Sequence, residues 1–214
     1  MQPLLMKKHK YKGRLITFCG LDGCGKTTMI ERLLRDLKNE TDVQLTKQPT
    51  NFVRESTMFR TYMDQPDHSD FDYRSLSLLA ASDRVQHTRK VIEPVLQRGG
   101  IVLSDRYFYS CLANLRARGY ENDQWIYEVS QWLVKPDIAF FFDVSVEKAI
   151  ERIRRRPDEK TRYIDVKLQE KLHHQYQLIC NENNGVMIPT ECSEQESYAM
   201  VKACVEKVIN NEGV

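Results

Sequence analysis

The chain has 214 residues, 41% of them hydrophobic and 29% charged, an ordinary balance for a single folded domain with a full core. Its 32 basic residues nearly cancel 30 acidic ones, and a formal charge of +2 gives no global reason to expect nucleic acid or an anionic membrane as a partner. No apolar run approaches the roughly 20 residues that span a bilayer. The six cysteines are scattered without C-x-x-C pairs or zinc spacing, so reduced thiols in a cytoplasmic protein are expected.

In chain order, residues 1–12 carry basic side chains but no apolar stretch of the secretory type, and read as a short flexible leader to one domain over 13–214. Apolar runs at 15–19, 43–45, 101–104, 138–144 and 186–188 do not alternate, as in strands buried on both faces of a parallel sheet. Between them helical periods are expected over 27–38, 76–97, 123–134, 146–155, 166–181 and 195–209. Ile30, Leu33, Leu34 and Leu37 share a face of the first, and Leu78, Ala81, Val85 and Ile92 a face of the second, where Pro94 should kink or restart the helix. Strand and helix in alternation predict an α/β fold, a parallel sheet of about five strands flanked by helices, with ligands beyond the carboxyl ends of the strands.

The stretch GLDGCGKTT, residues 20–28, follows the first strand and opens the first helix. Gly20, Gly25, Lys26 and Thr27 fit G-x-x-x-x-G-K-[ST], with Gly23, Cys24 and Thr28 completing the loop. Glycines there let backbone N–H groups turn toward phosphate oxygens at the positive end of a helix. Lys26 would then bridge the β- and γ-phosphates of ATP and the Thr27 hydroxyl would ligate Mg²⁺. A plain glycine turn with a surface lysine is the competing reading, and the match of pattern and context disfavours it. The N-K-x-D base reader of GTPases is absent, as is the D-E strand end of motor and transporter ATPases, which leaves a small-molecule kinase.

Asp105 and Arg106 end the third strand, where a carboxylate can hold Mg²⁺ through water and an arginine can clamp an incoming phosphate. A strand-end salt bridge is the plainer alternative. Arg84 borders the apolar stripe of the long helix and by itself is more often a solvated side chain. Asp22, inside the phosphate loop, is unfavourable beside triphosphate unless it turns away toward a hydroxyl of a second substrate. Residues 151–162, ERIRRRPDEKTR, are the densest basic segment, with Arg152, Arg155 and Arg156 on one helix face. They are either a solvated face or a lid, about 152–163, that brings arginines onto a transferring phosphoryl group.

In this order the motifs resemble those of the thymidylate kinase family, P-loop kinases that move the ATP γ-phosphate onto dTMP, over roughly residues 13–210. GLDGCGKTT is similar to the family's phosphate loop, SDRVQHTRKVIEPVLQRGGIVLSDRYFYS to its long helix and D-R-[YH] strand end, KPDIAFFFDVSVEKAIERI to the strand and helix before the lid, and TRYI to the segment closing it. The resemblance implies a three-layer P-loop kinase fold, ATP and a nucleoside monophosphate as substrates, Mg²⁺, and a homodimer. It implies that Lys26, Asp105, Arg106, Arg156 and Arg162 serve catalysis, that Arg84 reaches the acceptor base, and that Asp22 contacts the acceptor sugar. Lys47 and Tyr163 fall at acceptor-side positions. Gly23 stands where one subgroup has an arginine, so this chain resembles the subgroup that uses lid arginines instead. Three positions depart from the family pattern. Ala80 replaces a phenylalanine that stacks on thymine, and Cys111 and Asn114 replace a polar base reader and a tyrosine. A same-fold kinase for another nucleotide or metabolite is the alternative these departures leave open, and a non-catalytic nucleotide-binding regulator is a more distant one.

Overall fold

Five near-continuous apolar runs become five parallel strands: β1 (Arg14–Gly20), β2 (Val43–Lys47), β3 (Ile101–Asp105), β4 (Ile138–Asp143) and β5 (Val186–Pro189). This computed structural model describes residues 2–38, 41–64 and 71–210. The sheet order is β2-β3-β1-β4-β5. Consecutive residues of β1, β3 and β4 are buried, so both faces of the central strands are covered, as the absence of alternation requires.

Helix α1 (Lys26–Leu37) packs with α10 (Glu194–Ile209), while α4 (Tyr73–His87), α6 (Phe108–Ala117) and α9 (Val166–Glu182) lie side by side. The connection from β1 leads to the β2 side of the sheet and that from β3 leads across to β4, so β1 and β3 flank the topological switch point. Register fixes what meets there: Phe18 and Lys47 are both level with Asp105, the last residue of β3.

Several expectations are corrected. The long helix expected over 76–97 starts earlier, at Tyr73, capped by the Asp72 side chain on the Arg74 N–H. It widens into a π turn, Thr88–Ile92, before α5 (Glu93–Gln97), with the Glu93 N–H bonding Thr88 O. Pro94 has no N–H and its ring crowds the carbonyl four residues back, and the wider turn accommodates both. Leu78 is 50% exposed instead of sharing the buried stripe, whose other members include Asp83, Arg84 and His87. The helix expected over 123–134 is only α7 (Trp125–Ser130). Helices α2 (Asn51–Arg54), α3 (Thr57–Asp64) and α6 have no counterpart in the sequence reading.

The leader is not loose where it is described. Leu4 and Met6 are buried in the core. The Leu4 N–H donates to Asn183 Oδ1 at 3.0 Å and the Leu5 N–H to Ser130 Oγ at 2.7 Å. Lys7 forms a parallel bridge with Val134, just ahead of β4. Apolar side chains at 4 and 6 with backbone partners form a short packed edge, which a reading from charge alone overlooks.

Candidate active site

The loop after β1 and the turn after β3 share one wall of a cavity of about 920 Å³. At the loop, Gly25 is in the left-handed region (φ 92°) and is the N-cap of α1, with no side chain capping the helix. The first N–H groups of α1 therefore face the loop with no side-chain acceptor, the arrangement that receives anions. Lys26 is only 6% exposed and folds over the loop, donating to Gly20 O (3.1 Å) and Leu21 O (2.6 Å). Thr27 and Thr28 are exposed and line the cavity. Cys24 does not line it: the side chain is fully buried beneath the loop, with Sγ 3.4 Å from Lys26 Nζ. Its expected place among the phosphate contacts is thus limited to backbone, and its thiol is shut off from oxidants.

Gly23 has φ 80°, and a Cβ there would lie 2.3 Å from Ala149 O. No side chain fits at position 23, so the loop supplies Lys26 but no arginine there, and any arginine for the phosphates must come from elsewhere. Two come from distant elements. Arg106, itself at a strained φ of 68°, donates to Gly20 O and the Tyr176 hydroxyl at 3.1 Å each and to Asp22 Oδ1 at 2.5 Å. Arg162 donates to Asp22 Oδ2 at 3.0 Å and to Glu159 Oε2 at 2.9 Å. Burial works against the Asp22 charge, but Arg106, Lys26 and Arg162 outweigh it and hold the carboxyl well below the usual carboxylate range. Each Asp22 oxygen therefore accepts from one guanidinium group, Oδ1 from Arg106 and Oδ2 from Arg162.

Asp105 has an unequal pair of oxygens. Oδ2 lies 3.4 Å from Lys47 Nζ, whereas Oδ1 is buried and, among the described residues, has no hydrogen-bond partner. Asp105 and the exposed Thr27 line the same cavity, and a carboxylate with a hydroxyl is a hard oxygen donor set of the kind that suits Mg²⁺. The Lys47 loop is pinned to α4, since the Thr50 N–H and hydroxyl both donate to Asp83, at 2.8 and 2.5 Å.

On the acceptor side, Arg84 is 3% exposed, not solvated, and lines the cavity. One nitrogen donates to Ala80 O at 2.8 Å, and Nε is buried without a partner among the described residues. Arg54, unanticipated from sequence, also lines the cavity and donates to Pro49 O at 2.7 Å. Burial pulls its guanidinium below the ordinary value, and the nearby charges of Arg106 and Arg84 add to this, partly offset by Asp105 and Asp22. A cluster of crowded cations is a place where a bound anion lowers the energy.

A family model described as thymidylate kinase matches residues 18–201. The chain belongs to the thymidylate kinase family. It is 35% identical over 200 residues to a probable thymidylate kinase of Thermococcus kodakarensis, covering 90% of this chain and 97% of that one. It is 33% identical over 204 residues to a thymidylate kinase of a Geobacillus species (91% and 96%) and 31% over 209 residues to one of Halothermothrix orenii (92% and 100%). The family is one of ATP-dependent nucleoside monophosphate kinases.

Against the thymidylate kinase pattern, the structure sorts the arginines of the lid segment. Arg152 donates to Thr190 O at 2.5 Å, Arg154 to the carbonyls of Glu159 and Lys160, and Arg155 to Glu151. Of the segment's arginines, Arg156 and Arg162 line the cavity. Tyr163 also lines it and is 70% exposed. Ala80, Cys111 and Asn114 all line the cavity, so the departures from the family pattern gather at one end. Tyr62, Tyr73 and Arg118 line the cavity too, unpredicted because α3 and α6 were not read as helices and α4 was expected to start only at residue 76. Once α6 is known, Arg118 one turn beyond Asn114 is the signal that finds them.

Proposed function

We propose that the protein transfers the γ-phosphoryl group of ATP to dTMP, releasing ADP and dTDP. Family membership supports this, and so does one contact: Arg106, at the end of β3, touches Asp22 and Gly20 of the phosphate loop. An arginine gripping an acceptor phosphate from that position sets it beside the γ-phosphate of ATP in the loop.

An oxygen of the acceptor phosphate attacks the γ-phosphorus in line, the bond from γ-phosphorus to the β-phosphate bridging oxygen breaks, and ADP leaves. The attacking oxygen is already anionic, so no strong general base is required. Lys26 and the loop amides hold the donor phosphates, Arg106 with Arg54 holds the acceptor phosphate, and Arg156 and Arg162 stabilise charge on the transferring group. Arg84 contacts the base, with Lys47 and Tyr163 at the rim. Thr27, and Asp105 through water, would hold Mg²⁺, which when bound neutralises triphosphate charge. Lid closure over residues 152–163 excludes water from the phosphoryl group. Among the described residues no helix is long and apolar enough to cross a membrane. A cytoplasmic homodimer fits the family, with exposed Leu78 on α4 a contact candidate.

The test is ADP release with ATP and Mg²⁺ across dTMP, dUMP, UMP, CMP, dGMP and AMP, with a control lacking acceptor. Preference for dTMP is expected. Turnover of another nucleotide with dTMP inert would establish the different-acceptor alternative.

A further inference from the structure

The acceptor end of the cavity contains a second built group of side chains beyond the expected base reader. Ser110 and Asn114 on α6, and Arg118 at its C-cap, follow one another at single turns, about 6 Å apart, leading away from Arg106. The Arg118 guanidinium folds back one turn, donating through one nitrogen to Asn114 O (3.0 Å) and Oδ1 (2.9 Å). Its Nε donates to the Tyr62 hydroxyl at 2.9 Å, and the group lies 3.9 Å above the centre of the Tyr73 ring. Asn114 is held in turn, its amide donating to Ser110 O at 2.9 Å. Three supports on one guanidinium fix it as rigidly as a backbone group, and its second terminal nitrogen donates to no described protein group.

Two further residues that line the same cavity, Arg84 and Ser77, 3% and 2% exposed, carry a buried Nε and a buried hydroxyl with no partner among the described residues. Ser77, Arg84 and Arg118 line the same cavity as Ala80, Cys111 and Asn114, the positions where the family's stacking and reading side chains are missing. Guanidinium groups only donate. A base edge facing Arg84 and Arg118 must therefore present acceptors. The 2,4-dioxopyrimidine edge, carbonyl, N–H, carbonyl, meets that demand. Cytosine would turn an amino group toward donors and leave hydrogens unpaired.

Resting on the proposed nucleotide kinase activity, we propose that Arg118, held by Asn114 and laid on Tyr73, is a specificity-determining residue that selects 2,4-dioxopyrimidine acceptors over cytosine. Its place in this chain offsets the loss of the aromatic and polar readers at Ala80, Cys111 and Asn114.

The experiment measures kcat/KM for dTMP, dUMP and dCMP with wild type, Arg118→Met, Arg118→Lys, Asn114→Ala and Asn114→Asp. Thermal midpoint and ATP affinity serve as checks of the fold. Wild type should prefer dTMP over dCMP by about 10²-fold or more. Arg118→Met should cut that ratio at least about tenfold, chiefly through KM for dTMP, with ATP affinity kept within about twofold. Asn114→Ala should move the ratio the same way, and Asn114→Asp, which keeps the acceptor for Arg118, should preserve it. If Arg118→Met does not fold, Arg118→Lys carries the comparison, since it keeps charge and loses the fork. A dTMP/dCMP ratio unchanged in a folded Arg118 variant would overturn the assignment, leaving Arg118 a structural brace. A wild-type chain inert toward dTMP but active on another acceptor would overturn the proposed function and this inference with it.

Discussion

Asp22 Oδ2 accepts from the Arg162 guanidinium at 3.0 Å, joining the phosphate loop to a lid residue 140 positions later in the chain. Its other oxygen holds Arg106, so a single carboxylate sets the spacing between Arg106 and Arg162, the two arginines proposed to serve the acceptor phosphate and the transferring group. Replacing Asp22 by Asn keeps the shape and removes the charge that orders both. Misplacing catalytic groups by about 1 Å costs on the order of 10² in rate, and a loss of that size in kcat/KM for the acceptor is expected. Stability carries the same signature. Burial opposes the Asp22 charge, but Arg106, Lys26 and Arg162 depress its folded pKa below the unfolded value of about 3.9. Its contribution is therefore complete above that pH and is lost as pH falls toward the lower native value. Urea midpoints between about pH 5 and 3 should fall less steeply in Asp22→Asn than in wild type, and parallel acid limbs would show that the ion pairs contribute nothing.

Asp105 separates metal support from simple ion pairing. Lys47 reaches only Oδ2, at 3.4 Å, and Oδ1 is buried and unpaired among the described residues. Asp105→Asn should raise the Mg²⁺ concentration needed for half-maximal rate by roughly 10–100-fold, the usual effect of losing a carboxylate that supports a metal. Excess EDTA should abolish wild-type turnover. An unshifted Mg²⁺ titration in the variant would assign Asp105 to Lys47 alone.

Much of this site is local in sequence and some of it is not. The five strands are legible because burial on both faces leaves uninterrupted apolar runs, and the phosphate loop because its glycines, Lys26 and Thr27 lie within nine residues. Helix α6 is illegible for the opposite reason: all but Asn114 of its ten residues are buried, so no polar face reveals a period. Arg84 reads as solvated because charge on a helix is usually exposed, whereas here the guanidinium turns onto Ala80 O and into the cavity. The partners of Asp22 are set by tertiary packing, 84 and 140 residues away, and no spacing rule reaches them. The lid arginines look equivalent in sequence and differ only in which carbonyls and carboxylates surround them.

Gly23 and Gly25 allow steric exclusion to be separated from backbone strain. Both have positive φ, 80° and 92°. A Cβ at Gly23 would sit 2.3 Å from Ala149 O, whereas at Gly25 the nearest atom is 3.9 Å away. Gly25→Ala should therefore cost only the strain of a left-handed alanine, about 1–2 kcal/mol. Gly23→Ala should cost about 1–3 kcal/mol more, the usual scale of overpacking. It should also weaken ATP binding, because relieving the clash moves the loop away from α8 (Val146–Arg154). Equal unfolding free energies for the two variants would mean that the loop yields freely at 23.

The N-terminal segment offers a stability change without a catalytic one. Leu4 and Met6 are 8% and 9% exposed, and Lys7 pairs with Val134 ahead of β4. The phosphate loop and Asp105 lie at the other, carboxyl ends of the strands. Large-to-small substitution of a buried Leu or Met costs about 2–5 kcal/mol, least where the surroundings can relax. Near the surface the low end applies, so Leu4→Ala should lower unfolding free energy by about 2 kcal/mol, read as a shift in urea midpoint at unchanged slope. Kinetic constants for ATP and acceptor should not move, because residues 2–8 do not line the cavity. A midpoint equal to wild type would mean that residues 2–8 behave as the loose leader their charge suggests, and that their hydrogen bonds to Asn183 and Ser130 are too weak to order them.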